Sequence, residues 1–333
     1  MHRRNLLALG VAASAAPLLP GSAATATPPG YRVTWYNART EGSGRVGSRD
    51  VTAAGDGTIW FCGQRNGTLN RLDPRTGAIR VVNLGQGAAP HGVIRGPDGA
   101  AWVTEGGQNA IARVDPADHR VTLWRLPERF ANGNLNTGVF DDHGTYWFTG
   151  QNGIYGRFVP ATERMDVWEA PRGRGPYGIT KTPQGTLWYV SLAGNHLAQI
   201  ADLDTGRVAI VDPPTPNQGA RRVWSDKSGR LWISEWNSGN VSVFDPMTQR
   251  WGVWRLPGER PRCYSVWVDP SEKVWLTDFP ANAIVRFDPM TETFLSFPSD
   301  RANANVRQMD GFAGEAWGGE SGTDRIVRIE YGL

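Results

Sequence analysis

An all-β ring, a seven-bladed β-propeller with four antiparallel strands per blade, is predicted by three features of the sequence. The first is a repeat. A tryptophan that follows a short turn rich in Asp and Gly recurs at Trp60, Trp102, Trp147, Trp188, Trp232, Trp275 and Trp317, at spacings of 42, 45, 41, 44, 43 and 42 residues. A period of roughly 40–50 residues with hairpin punctuation marks stacked sheets around an axis rather than a helical array. The second is the content of one unit. From Pro90 onward the chain reads as an apolar run HGVIRG, a turn PDG, a run AAWVTE, a run NAIARVDP and an alternating run HRVTLWRLP, which makes four strands. Asp and Gly supply the backbone shapes of tight turns, and the β-branched and aromatic residues suit half-buried strands. The third is the lack of a sustained helical period after the first 26 residues.

Taken in order, residues 1–26 read as an export signal: Arg3-Arg4, an apolar run from Leu6 to Leu19, and a small-residue end, GSAATA, with cleavage expected after Ala24 or Ala26. The apolar run is too short to span a bilayer, and its start is similar to a twin-arginine signal, so a periplasmic or secreted protein is expected. Residues 27–333 then form one domain. Its first strand, within 31 to 39, resembles the outer strands RVTLWRLP, MDVWEAP and WGVWRLP, while the seventh repeat ends at RIVRIEYGL with only three strands of its own. The N-terminal strand is therefore expected to complete the last blade and close the ring.

Blade one runs from about Arg49 to Leu84, blade two from His91 to Leu126, blade three from Asn136 to Ala170 and blade four from Tyr177 to Pro213; blades five to seven start near Arg221, Tyr264 and Arg307. The recurrent Asp-Pro pairs at Asp73, Asp115, Asp245 and Asp288 mark the turn into each outer strand, where proline's missing N–H does little harm. Seven units use up the length, which leaves no room for a second domain.

Composition narrows the function classes. The net charge of +3 is not gathered into basic runs, so nucleic acid is excluded as the expected partner. A monomer binding a small molecule or oligosaccharide in the central funnel, with no membrane span, is the reading that remains. Of the two cysteines, Cys62 falls in blade one and Cys263 in blade six; that separation argues against a disulfide and for two small core residues.

Strand order places chemistry at one face. The first strand of a blade starts where the second ends, so residues eleven before and three after each anchor tryptophan surround the funnel. The first ring is Arg49, His91, Asn136, Tyr177, Arg221 and Tyr264, joined by Arg307 at ten before its anchor if the last blade has a one-residue shorter turn. The second ring contains the acids Glu105, Glu235, Asp278 and Glu320. Facing positions across each hairpin would pair His91 with Glu105, Arg221 with Glu235, Tyr264 with Asp278 and Arg307 with Glu320. Such pairs serve either as structural ties or as a convergent site with a base, a charge stabiliser and metal ligands. Trp236 and Phe279, one residue beyond two of the acids, would offer a stacking surface for a ring-bearing ligand. His119 and His143 fall in turns and His196 lies between second and third strands, which leaves His91 as the funnel histidine.

The phrases PHGVIRGPDGAAWVTEGGQNAIARV, WISEWNSGNVSVF and WLTDFPANAIVRF resemble the repeats of the virginiamycin B lyases, seven-bladed propellers that open streptogramins. The likeness covers all seven blades. It implies an Mg²⁺-dependent eliminase in which a histidine of the last blade is the base, a histidine of the penultimate blade contacts substrate, and two glutamates hold the metal. In this chain the last-blade position is Arg307, the glutamate two residues before it is Asn305, the penultimate-blade position is Tyr264, and Glu320 matches the other glutamate with an offset of one residue. Metal binding through Glu320 and Asn305 is thus expected to be weak.

The resulting expectation is an exported propeller that breaks an ester or glycosidic C–O bond by β-elimination. His91, Tyr177 or Tyr264 would be the base, and Arg49, Arg221 and Arg307 would stabilise the developing enolate, with Asn136 also on the substrate side. A propeller that binds without chemistry, and a lactonase-type hydrolase, are the alternatives.

Overall fold

The computed structural model describes residues 27–332, and residues 1–26, expected to be an export signal, lie outside the described residues. Strand β1 (Tyr31–Asn37) is followed by six blades of four strands each, β2–β5 (48–83), β6–β9 (90–125), β10–β13 (135–169), β14–β17 (176–211), β18–β21 (220–255) and β22–β25 (263–298), and then by β26–β28 (306–331). Six sheets have consecutive strand order, and the seventh runs β1-β28-β27-β26. Two chain ends therefore make one blade, as expected. β1 pairs antiparallel with β28 (Arg325–Tyr331) from Tyr31↔Tyr331 to Asn37↔Arg325 without a slip.

The recurring tryptophan is explained by two contacts. Each anchor ring is buried between its own blade and the next: Trp60 sits with the Val93 and Val103 side chains of blade two, and Trp275 with Val306 and Val327 of blade seven. In blades three, five and six the indole N–H also donates to a turn aspartate six residues earlier, Trp147 to Asp141 at 2.9 Å, Trp232 to Asp226 at 3.0 Å and Trp275 to Asp269 at 2.8 Å. The other oxygen of that aspartate accepts backbone N–H groups across the turn, so one carboxylate fixes both the hairpin and the ring. Gly144 and Gly229 complete two of these turns at φ +77° and +89°, where a β-carbon is disfavoured.

The last blade has the shorter turn: β26 (Val306–Phe312) and β27 (Glu315–Glu320) are joined by Ala313 and Gly314 alone, and Trp317 faces Asp310, seven residues back rather than eight. Cys62 and Cys263 are both free and buried, in the core role expected of them. Among the described residues no helix is long and apolar enough to cross a membrane.

Candidate functional site at the propeller axis

All seven innermost strands carry the same irregularity. In β2 (Ser48–Ala53) the register passes from Ser48↔Gly63 to Val51↔Phe61, so Arg49 and Asp50 together oppose Cys62 alone. Slips at the equivalent place occur in β6 (Pro90–Arg95), β10 (Leu135–Phe140), β14 (Pro176–Lys181), β18 (Ala220–Ser225), β22 (Cys263–Val268) and β26. A β-bulge puts one extra residue into a strand and re-aims its side chains. Here it brings two successive residues per blade, such as Arg49 with Asp50 and Arg221 with Arg222, to the propeller axis.

The first ring consequently converges as the spacing predicts, and it fills the axis. Arg49 lies at its centre, 6 % exposed, donating to Gln64 Oε1 at 2.8 Å, to Tyr264 Oη at 3.1 Å and to Tyr177 Oη at 3.4 Å, and touching His91 Nε2. Asn136 Nδ2 also donates to His91 Nε2, at 3.1 Å, and the Tyr177 and Tyr264 hydroxyls bond to each other. Both phenols are 1 % exposed, and Asn136 is fully buried. Arg307 reaches Tyr264 Oη from blade seven at 3.4 Å and holds Ser321 Oγ at 3.1 Å. Arg221 lies over the rings of Trp236, Tyr264 and Tyr177 at 4.5, 4.8 and 5.5 Å.

The expected cross-hairpin pairs do not form. Because of the bulge, the residues opposite Glu105, Glu235, Asp278 and Glu320 are Pro90, Ala220, Cys263 and Val306, one position earlier than the ring. The four acids turn inward and hold loops. Glu105 accepts backbone N–H groups of Ala89, Gly107 and Gln108; Glu235 accepts from Ser238 and Asn240; Asp278 accepts the backbone N–H of Arg262. Glu320 is saturated, with one oxygen taking Trp35 Nε1 at 3.0 Å and Ser299 Oγ at 2.9 Å, and the other Arg325 Nε at 2.8 Å and Thr323 Oγ1.

That saturation bears on the implied Mg²⁺. Glu320 and Asn305 line a crevice of about 20 Å³ between blades six and seven, off the axis. A carboxylate neutralised by a guanidinium, with both oxygens already bonded, does not fit a hard cation that needs charged oxygen ligands. Among the described residues no group of three His, Cys, Asp or Glu side chains is placed to hold a metal ion.

Electrostatics single out one phenol. Burial pushes Tyr264 up, but Arg49, Arg222, Arg307 and Arg221 together outweigh it and bring the group down to about 7. Tyr177 is raised, first by burial and then by the charge of Tyr264. His91 is held well below the ordinary histidine value by burial, then by Arg49, Arg222 and Arg307. It is neutral, and its single ring lone pair at Nε2 is taken by donors, so it orients Arg49 and has no free lone pair to act as the base.

Sequence reasoning missed the second residue of each bulge. Arg222 donates to both oxygens of Asp50, at 2.7 and 3.0 Å, and to Thr137 Oγ1 at 2.6 Å, with side chains 2 % and 3 % exposed. This pair forms a floor beneath the ring. On its far side lies a cavity of about 250 Å³ lined by Thr52, Thr137, Gln308 and Asp310 among others. Two charged residues in succession, Arg49-Asp50 and Arg221-Arg222, inside strands that are otherwise buried were the readable signal, since strict alternation would drive one of each pair into a blade.

A closed ring of seven sheets whose polar side chains meet at the axis defines a propeller with a central axial site. Residues 24–257 match the virginiamycin B lyase family, and the chain belongs to that family. No curated protein sequence matches the chain. Among solved structures it is similar to virginiamycin B lyase from Staphylococcus aureus (18 % identity, TM-score 0.82, 90 % of this chain and 99 % of that one). It is also similar to a streptogramin B lyase (21 %, TM-score 0.82, 90 % and 98 %). A third likeness is to a catalytically inactive histidine-to-alanine virginiamycin B lyase from S. aureus with quinupristin (19 %, TM-score 0.82, 90 % and 99 %). A more distant one is to the extracellular domain of a hybrid two-component system from B. thetaiotaomicron (14 %, TM-score 0.68, 86 % and 40 %).

Proposed function

We propose that the chain is an exported carbon–oxygen lyase that works by β-elimination at the axial site, with Tyr264 as its base. The observation that carries this reading is the setting of the Tyr264 hydroxyl, between Arg49 at 3.1 Å and Arg307 at 3.4 Å and bonded to Tyr177. A phenol brought down to about 7 is available as phenolate near neutral pH, where a base works best. Tyr264 and Arg307 stand where the family resemblance expects histidines, and blades six and seven, which carry them, lie beyond the stretch matched to the family. The relatives named as lyases support the reaction class, and the changed residues support a different proton acceptor and a different substrate.

In this mechanism Tyr264 phenolate takes the proton α to a substrate carbonyl. The C–H electron pair becomes an enolate, held by the guanidiniums of Arg307 and Arg49, and then the carbon–carbon double bond as the β C–O bond breaks. The leaving oxygen takes the proton of Tyr177, which recovers one from Tyr264 through their shared hydrogen bond. Arg307 cannot itself accept a proton, because a guanidinium stays charged. No step is assigned to a metal.

One observation favours a second reading, a ligand-binding propeller without chemistry: Tyr177 and Tyr264 are 1 % exposed, so at this level the axis is a filled plug. Turnover decides between them. The mature protein is assayed on lactones, uronates and cyclic depsipeptides for a new conjugated double bond. Tyr264→Phe is expected to lower kcat by about 10²–10⁴, the span usual for a general base. Turnover untouched by both Tyr264→Phe and Tyr177→Phe removes the assignment, and a bound ligand with no turnover on any of the three classes establishes the binding reading.

A further inference from the structure

Charge does not balance at the mouth of the site. Tyr264 and Phe279 stack at 5.0 Å and 9°, and Trp236 stands edge-on to both at 5.8 and 5.0 Å. Three guanidiniums lie on these faces: Arg221 over Trp236 at 4.5 Å, Arg262 over Trp236 at 5.3 Å, and Arg307 over Tyr264 and Phe279 at 5.4 and 5.6 Å. Among the described residues none of the three has a carboxylate partner. Arg307 donates only to hydroxyls, and Arg221 Nε is buried with no acceptor. The neighbouring acids form no salt bridge with them: Glu235 takes Ser238 and Asn240 on one oxygen and its other oxygen is buried without a partner, Asp278 takes backbone N–H, Glu320 is held by Arg325 and Asp50 by Arg222.

Elsewhere in the ring buried or half-buried arginines are paired with acids, as Arg113 with Asp98, Arg157 with Asp166 and Arg328 with Glu315. Arg286, half-buried over Tyr31 and Trp275, is also without a salt bridge among the described residues, but it stands alone, whereas the mouth gathers three such guanidiniums on one aromatic cluster. Guanidiniums held over aromatic rings are partly stripped of water, and Arg221 and Arg262 keep terminal N–H groups without an acid, as does the second terminal nitrogen of Arg307, which suits an incoming carboxylate.

We propose that the substrate is a ring-bearing carboxylate of the uronate class, its anion held by Arg221 and Arg307 and its ring seated on Trp236 and Phe279. This deepens the elimination reading and rests on it for the reaction. The proton removed is the one on the carbon that bears the carboxylate; it goes to Tyr264, the neighbouring C–O bond breaks, a double bond forms between those two ring carbons, and the leaving oxygen takes the proton of Tyr177. Guanidiniums on the carboxylate disperse the second negative charge that builds there, which a neutral site would leave unopposed.

Phenyl β-D-glucuronide and phenyl β-D-glucoside are the probes, since they share ring and aglycone and differ only in carboxylate against hydroxymethyl, and neither has a good leaving group at the ring carbon next to the one that loses its proton. Calorimetry on the mature protein is expected to show the glucuronide binding about tenfold or more tightly than the glucoside, the preference shrinking with salt. Arg221→Gln or Arg307→Gln is expected to abolish the preference while leaving glucoside binding in place. Equal affinities, a preference indifferent to both arginine changes, or no glucuronide binding at millimolar concentration overturns the proposal. Elimination is read separately, on a glucuronide carrying a sugar at that neighbouring oxygen. Carboxylate-selective binding without unsaturated product supports the anion site and sinks the elimination reading; product from a neutral ester with no glucuronide binding does the reverse.

Discussion

Closure of the ring by the N-terminal strand is tested most sharply at Trp35. Its ring is half-buried against the cluster between blades six and seven, lies under Arg325 at 5.2 Å, and donates its indole N–H to the buried carboxylate of Glu320 at 3.0 Å. Removing a fully buried tryptophan side chain costs about 3–5 kcal/mol, and a half-buried one about 2. Loss of one of the four bonds to Glu320 adds about 1 kcal/mol. For a domain of this size, roughly 2 °C of melting temperature per kcal/mol gives a drop of about 6 °C for Trp35→Ala. The comparison is Trp124→Ala, in the outer strand of blade two, where the ring stacks on Trp102 at 5.6 Å and the strand follows directly from its own blade. Differential scanning calorimetry of the two variants should give drops within a factor of two of each other. If Trp124→Ala lowers the midpoint by about 6 °C and Trp35→Ala shifts it by less than about 2 °C, β1 is a loose flap and the closure argument fails.

Four further outcomes follow from the axis and its surroundings. Once a substrate is found, kcat/KM should rise with pH through an apparent value near 7 that belongs to the Tyr264–Tyr177 pair, and Tyr264→Phe should remove that inflection. Stability should carry the same signature. Tyr264 is depressed below its ordinary value of 10, so between about 7 and 10 the unfolded chain holds a proton the folded chain has released; this contribution grows as pH rises across that window and is lost as pH falls through about 7. Urea midpoints at both ends of the window, with and without Tyr264→Phe, give the difference. Arg222→Met leaves Asp50 buried with only Arg49 nearby, at 3.7 Å, and should cost about 3–5 kcal/mol in urea, most of it recovered in the double variant Asp50→Leu/Arg222→Met. Glu320→Gln should cost about 1.5–3 kcal/mol through its bond to Arg325 and leave Mg²⁺ titrations unchanged; tight Mg²⁺ binding lost in that variant would show the carboxylate to be a ligand.

What was legible followed from periodicity. Seven anchors gave seven blades, and the match of residues 31 to 39 to outer strands gave the closure; the observed inner strands start within one residue of the expected positions, Ser48 for Arg49 and Pro90 for His91. Which ring residues share the axis was also readable, because it depends only on where strands begin. The partners across each hairpin were not. A bulge adds one residue without disturbing the apolar alternation on either side of it, so the acids three residues after each anchor were placed opposite the wrong neighbours. Their buried setting then decided their role: a carboxylate beside free loop amides accepts from them, and no funnel charge competes.

The bulge also accounts for what the axis can do. A regular strand would aim one side chain in two at the axis, whereas the bulges turn two successive residues per blade toward it, both with side chains except where Gly92 and Gly178 follow His91 and Tyr177, and build two stacked levels. The lower level takes the charge compensation, with Asp50 set against Arg222. The upper level keeps an excess of positive charge around Tyr264, with Arg221 and Arg307 unpaired and Arg49 sharing Asp50 at 3.7 Å. Exchanging family histidines for Tyr264 and Arg307 in such a frame does not simply delete a base. On the elimination reading proposed above, it moves proton acceptance to a phenol that is brought down to about 7 because three upper-level guanidiniums and Arg222 below surround it. Two of these guanidiniums, Arg221 and Arg307, are also among those left without acids at the mouth. The group that tunes the base and the group proposed to hold the substrate are therefore one cluster, and an anion bound there should weaken the field on Tyr264 and raise its proton affinity. Binding of phenyl β-D-glucuronide near pH 7 should accordingly take up protons, measured as a dependence of the calorimetric heat on the ionisation enthalpy of the buffer. Tyr264→Phe should abolish that uptake without abolishing binding, and a heat independent of buffer in the unaltered protein would separate the two roles and break the argument that joins them.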